Sequence, residues 1–322
     1  MKITDHVISI DIGEYPLGIL ENEDQSFSVY SGEGHRFHYD YKGVKLGEVT
    51  ISSVGFNNVS EAESFAILTC LSGEVSISKL PDLNKKLGKK ITFPILINEV
   101  LYFIKDQLLY FCRFKESFSI QRVEKITHVE QLYKCGDKVF VVCEMGWFLI
   151  GEEFSPKFLG QYFVTISSAA YMSKNSTFHF TLSSGEMGIL HLNMDSSIIE
   201  EPMITQAAGP FIKILGSCDS DKIAMSYYNQ LVLLISNSEQ ADQYINVIID
   251  KLKEIPKKVL NHKSEPYFLV QEDNRSASLW TTLLPEAIWK QEFNADICYM
   301  KFSVSFFYIG CTDGAIHVYN FS

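Results

Sequence analysis

The sequence contains no apolar run near the roughly 18 residues that a membrane-spanning helix requires. Charged residues also stand at its start, in MKITDHVISIDIG, where a secretion signal needs an apolar core. A soluble protein of the cytoplasm or nucleus, with no membrane partner, is the expectation. Cysteine is sparse and unpaired in pattern. Cys70, Cys112, Cys135, Cys143, Cys218, Cys298 and Cys311 are odd in number and widely spaced, with no Cys-x-x-Cys pair and no histidine at zinc-site spacing. Buried reduced thiols are expected. Positive charge is in deficit, with 28 Lys and Arg against 39 Asp and Glu, for a net charge of −11. Such a chain repels phosphate backbones overall, which disfavours nucleic acid as a direct ligand. The Gly-x-Ser-x-Gly elbow, the Gly-x-x-x-x-Gly-Lys loop and the Gly-x-Gly-x-x-Gly fingerprint are all missing. No Pro/Gly/Ser-rich linker interrupts the chain, so one domain over 1–322 is expected.

What is abundant is strand material: 23 Phe and 16 Tyr, residue types that pack well on a pleated surface. The C-terminus, Ile297 to Phe321, has an apolar strand, a second strand, the turn Thr312-Asp313-Gly314 and an alternating strand. Asp-Gly between alternating runs is a strong hairpin signal. The unit recurs with drift at spacings near 40 residues. Its third strands are predicted at Ser26–Tyr30, Glu74–Leu80, Gln107–Phe114, Trp147–Gly151, Met187–Leu192, Leu231–Ser236, Ser276–Thr281 and Ala315–Phe321. Short strands, regular spacing and polar turns predict an all-β fold, a single closed β-propeller of seven or eight four-stranded blades, eight favoured. The last unit lacks an outer strand. The N-terminal strand, placed at Lys2 to Val7 where an apolar-alternating run to Ile12 begins, could supply it and remove an exposed sheet edge.

The ending Cys311-Thr312-Asp313-Gly314-Ala315-Ile316-His317-Val318-Tyr319-Asn320 resembles that of a WD40 repeat, with Tyr319 where the family usually has Trp. Ser72-Gly73-Glu74-Val75 and Ser184-Gly185-Glu186-Met187 are copies lacking the Asp, and Gly34-His35 matches the family's Gly-His pair. The Trp-Asp dipeptide occurs nowhere, so the resemblance is to a degenerate member. It implies a rigid ring whose loops bind other proteins.

One segment breaks the rhythm. In Ser238 to Ile255, the residues Tyr244, Ile245, Ile248, Ile249, Leu252 and Ile255 recur at helical spacing before Pro256, which predicts a helical insertion over 238–255, extending to 258 at most. The rival reading is an outer strand from Tyr244 to Asp250. Lysines gather in a predicted loop at Lys85, Lys86, Lys89 and Lys90, and again at Lys257 and Lys258 after the insertion. With Tyr244, Ile248 and Leu252 on the apolar stripe, these are the candidate partner-binding residues. His35, His38 and Asp40 lie close in sequence, yet the segment offers at best two converging ligands where a metal needs three or four. We therefore expect no metal, no cofactor and no catalytic residue. The functional expectation is a non-catalytic scaffold or subunit of a protein assembly. The alternatives are an enzyme with a central-channel site and a nucleic-acid binder using the lysines.

Overall fold

The computed structural model describes residues 3–22, 24, 26–62, 65–79, 83–113, 119–151, 153–161, 165–183, 186–192, 203–205, 213–217, 222–227, 230–236, 244–249, 256–262, 265–284 and 286–321. Among them the strands form eight four-stranded antiparallel sheets, and the one helical turn is Ser173–Asn175. Seven sheets follow the chain in simple meanders. The first is Pro16–Glu21, Phe27–Ser31, His35–Tyr39 and Lys45–Thr50; the second is Phe56–Ala62, Phe65–Cys70, Glu74–Lys79 and Leu83–Lys89. The third holds Ile91–Ile97, Val100–Lys105, Leu108–Arg113 and Ser119–Thr127. The fourth comprises Val129–Cys135, Lys138–Cys143, Gly146–Ile150 and Pro156–Gly160; the fifth, Ile166–Met172, Thr177–Leu182, Met187–His191 and Met203–Thr205. The sixth is Lys213–Ser217, Lys222–Tyr227, Gln230–Ser236 and Tyr244–Ile249; the seventh, Lys258–Asn261, Tyr267–Gln271, Ser276–Thr281 and Trp289–Glu292. The eighth joins Ile297–Phe302, Phe306–Cys311 and Ala315–Phe321 to Ile3–Asp11, which pairs with Ala315–Phe321 as the outer strand.

The chain divides into two compact units, one of residues 1–122 with 293–322 and one of residues 123–292. In the first unit, the opening strand of the first sheet touches those of the eighth and second sheets. In the second unit, the opening strands of the fourth to seventh sheets are neighbours in turn. Sheets stacked this way bury their middle strands on both faces. Phe27–Ser31, Gly146–Ile150, Thr177–Leu182 and Tyr267–Gln271 are accordingly buried throughout, while Lys45–Thr50 on an outer edge is exposed throughout. A strand buried on both faces reads as a continuous apolar run, and this is why the second strands stand out in the sequence.

The core is aromatic. In the second unit Phe140 stacks on Phe178 at 4.4 Å, and Trp147 meets Phe140 and Phe180 edge-on at 5.4 and 5.2 Å. Burying each such ring contributes about 1.5–3 kcal/mol. Gly188 is required here, because a Cβ would lie 2.1 Å from the Phe180 ring. In the first unit Ile10, Phe27, Val29, Tyr308, Ile316 and Val318 form one cluster between the eighth and first sheets.

Three hairpins share one turn. In Ser31–Gly34, Cys70–Gly73 and Cys311–Gly314 the glycine N–H donates to the first residue's carbonyl at 3.2, 2.8 and 3.1 Å. Each glycine has φ between +77° and +94°, the left-handed region that side chains disfavour.

Three sequence expectations are corrected. Tyr244–Ile249 is a strand, not part of a helix over 238–255: it pairs antiparallel with Leu231–Ser236 in register Ser236↔Tyr244 to Leu231↔Ile249. Four of its six residues, Ile245, Val247, Ile248 and Ile249, are β-branched, and a neighbouring strand takes up its backbone hydrogen bonds. Residues 238–243 and 250–255 lie outside the described residues. The lysine-rich segment is an outer strand, Leu83–Lys89, rather than a loop, because its backbone pairs with Glu74–Lys79. Finally, the third strand of the first sheet is His35–Tyr39, and the predicted Ser26–Tyr30 coincides with the second, since Ser31–Gly34 makes the hairpin between them.

Candidate interaction site

The eighth, first and second sheets are tied together by side chains that satisfy a neighbour's backbone. Ile19, in the opening strand of the first sheet, donates its N–H to Glu61 Oε1 at 2.9 Å and accepts from Lys301 Nζ at 2.6 Å on its carbonyl. Glu61 belongs to the second sheet and Lys301 to the eighth, and the two are ion-paired while Tyr299 donates its hydroxyl to Glu61. Burial lifts the Glu61 carboxyl above the usual carboxylate range, opposed by Lys301 and the Ile19 N–H. A second cluster centres on Glu21, which accepts from Tyr308 Oη at 2.5 Å and from Ser303 Oγ. Burial first, and Glu21 second, push the Tyr308 phenol up. The hydrogen bonds and the ion pair of these clusters offset part of the desolvation cost that burial imposes on Glu61 and Tyr308.

On this frame the turns at one end interlock. The Tyr15 carbonyl accepts from Gly32 N–H at 2.7 Å, the Gly32 carbonyl from Phe56 N–H at 2.9 Å, and the Gly55 carbonyl from Leu71 N–H at 3.2 Å. Gly55, at φ +74°, lets two backbones meet, since a Cβ there would sit 2.4 Å from the Gly32 oxygen. These turns leave Tyr15, Val54 and Leu71 exposed by 43%, 50% and 65%. Val54 and Leu71 are apolar and exposed on hydrogen-bonded loops, while the Tyr15 hydroxyl is hydrogen-bonded to Cys298, so little ordering entropy remains to be lost on docking.

The residues singled out from the sequence lie elsewhere. Lys85 and Lys86 oppose Ile77 and Ser76 on the outer strand of the second sheet; Lys89 and Lys90 are exposed at its end, and Lys90 lies 3.9 Å from Asp106. Tyr244 and Ile248 oppose Ser236 and Val232 on the outer strand of the sixth sheet, and Leu252 is outside the described residues. Lys257 donates to Asn274 from an exposed bend, and Lys258 opens the first strand of the seventh sheet. Of the histidine cluster, His38 Nδ1 pairs with Ser28 Oγ at 3.2 Å, and Asp40 accepts from the Lys42 and Val44 N–H groups at 2.9 and 2.8 Å. The cysteines Cys70, Cys112, Cys135, Cys143, Cys298 and Cys311 are free thiols. No helix among the described residues is long and apolar enough to cross a membrane.

No protein-family model and no curated protein sequence matches the chain. Solved structures match along nearly its whole length. BamB from Moraxella catarrhalis is 11% identical with a TM-score of 0.67, the match covering 99% of this chain and 100% of that one. Sqt1 from Saccharomyces cerevisiae is 8% identical with a TM-score of 0.65, covering all of both chains. The Dos1 propeller is 13% identical with a TM-score of 0.63, covering 98% and 95%. These neighbours are β-propellers, and the chain has the β-propeller fold. At such identities the likeness is one of fold alone.

Proposed function

We propose that the chain is a degenerate WD40-like propeller, its eight sheets closed into one ring, that works as a non-catalytic interaction subunit of an intracellular protein assembly in the cytoplasm or nucleus. The observation that carries this reading is the exposure of Tyr15, Val54 and Leu71 on interlocked turns. Exposed apolar side chains on ordered turns suit a protein partner, whereas a nucleic acid is met by lysine and arginine. In this reading the lysines Lys85, Lys86, Lys89, Lys90, Lys257 and Lys258, with Tyr244, Ile248 and Leu252, are secondary contacts.

The test compares the tagged wild type with a Val54→Asp, Leu71→Asp double variant in a native extract, with captured proteins identified by mass. A protein recovered in stoichiometric amount with the wild type should be lost from the variant. The variant's stability should stay within about 0.5 kcal/mol per site, as at other exposed positions. A partner that binds both equally would move the interface off these turns. A wild type that purifies alone and turns over a small substrate would favour the enzyme.

A further inference from the structure

Beside the apolar turns lies a group that the scaffold reading leaves unused. Glu14 precedes Tyr15, Glu33 sits in the Ser31–Gly34 turn, and His35 opens the next strand. One ligand atom from each lies within 4.8 Å of the others. His35 Nδ1 is 2.7 Å from Glu14 Oε1, with the two side chains 25% and 15% exposed. The second Glu14 oxygen, Oε2, is buried and has no hydrogen-bond donor among the described residues. A buried carboxylate oxygen without a donor is costly, because its lost hydration is not replaced. The imidazole compensates one oxygen only, and Glu33 brings a second negative charge to the same point. The nearby Arg36 offers no remedy, since it follows His35 in the strand and lies by Tyr30, on which it acts electrostatically.

We propose that Glu14, Glu33 and His35 form a binding site for a divalent metal ion of the zinc class. One imidazole nitrogen with two carboxylates is a ligand set that zinc and similar first-row ions accept. Calcium takes six to eight oxygen ligands, and magnesium favours oxygen and retained water, so neither suits an imidazole-bearing triad. Ligand atoms about 2.0–2.1 Å from a tetrahedral zinc stand roughly 3.3 Å apart. Seating an ion therefore opens the 2.7 Å His35–Glu14 contact slightly and draws the exposed Glu33 inward. The frame needs no rebuilding. His35 N–H donates to Ser31 Oγ at 3.2 Å, and the His35 ring rests edge-on against Phe37 at 6.1 Å. Gly314 packs against the backbone of Gly13 and Glu14, where its Cβ would meet their nitrogens at 3.0 and 2.9 Å. Three protein ligands leave at least one coordination position for water or a donor from a docked molecule.

The test is calorimetric titration of the full chain with zinc chloride at neutral pH after dialysis against a chelator. One equivalent should bind, magnesium should not compete, and affinity should fall on acidification because the ligands must be deprotonated. Glu33→Gln and His35→Gln should each weaken binding at least about 10-fold, the loss typical even of groups that only orient a ligand. Glu33 is exposed on a turn, so its variant should melt with the wild type in chelator and carries the test even if His35→Gln fails to fold. Absence of zinc binding overturns the proposal, and so does binding of equal affinity in the wild type and Glu33→Gln, which would assign the ion to other ligands such as the thiols.

Discussion

His179 sits midway along the Thr177–Leu182 strand with no exposed surface, its Nε2 3.0 Å from Thr177 Oγ1. Burial, with a smaller push from His191, lowers its pKa from 6.5 to about 4. The unfolded chain therefore binds a proton that the folded chain refuses. This group's contribution is full above the unfolded value near 6.5 and is lost as pH falls toward the folded value. A shift of this size corresponds to about 3 kcal/mol at roughly 1.4 kcal/mol per unit. Urea unfolding followed from pH 7 to 4 should show that loss, and His179→Gln should flatten the profile by about one proton. Identical slopes in the two proteins would mean that the folded chain accommodates the charge. The buried cysteines do not contribute in this window, since burial raises Cys112 to about 11 and Cys311 to about 12.

At the scale of elements, Leu83–Lys89 shows how one strand serves both a core and an edge. A register shift between Val75 and Ser76 leaves Leu87 unpaired between Gly88 and Lys86, and Leu87 turns into the cluster of Phe65, Ile67, Ile91 and Leu101. Lysines on an outer strand repel other strands that would add to it. Of the four lysines Lys85, Lys86, Lys89 and Lys90, reversing the exposed Lys89 and Lys90 to Glu should change stability by less than about 1 kcal/mol, because exposed charges contribute little. Changing the same four to Val should leave the fold intact and produce association visible by sedimentation velocity. A valine variant that stays monomeric at wild-type concentrations would assign the lysines another role. The same strand marks the limit of sequence reading. Third strands such as Glu74–Lys79 and Ala315–Phe321 were legible, because alternation beside a glycine turn is a local signal. Tyr244–Ile249 was misread because an almost wholly apolar stretch satisfies both the helical and the strand period. The interaction site was illegible for a different reason. Glu61 and Lys301 are 240 residues apart, and Tyr15, Val54 and Leu71 acquire a common setting only when turns of successive sheets interlock.

At the scale of the molecule, the decisive sheet is the eighth, where Ile3–Asp11 pairs with Ala315–Phe321 from Ile3↔Phe321 to Asp11↔Ala315, with register shifts between Ile3 and His6 and between His6 and Ile8. The pairing is anchored by more than its ladder. Ile10 is buried among Phe27, Tyr308, Ile316 and Val318, Ser9 Oγ lies 2.9 Å from His317 Nδ1, and Ile12 N–H donates to the Gly314 carbonyl at 3.1 Å. Deleting residues 1–11 removes this outer strand, exposes the edge of Ala315–Phe321 and uncovers part of the cluster. Losing the burial of Ile10 and partial burial of Ile8 costs about 3–5 kcal/mol, which should lower the melting midpoint by roughly 4–7 °C. In a closed ring each sheet leans on two neighbours, so calorimetry should show one transition shifted as a whole. If residues 123–292 instead keep a transition at the full-length midpoint while a second appears below it, the ring is not closed cooperatively. A synthetic peptide of residues 1–12 added to the truncated chain should restore the midpoint by strand addition, and a scrambled peptide should not. A truncated chain that melts with the full-length protein would show that this strand contributes nothing to holding the fold together.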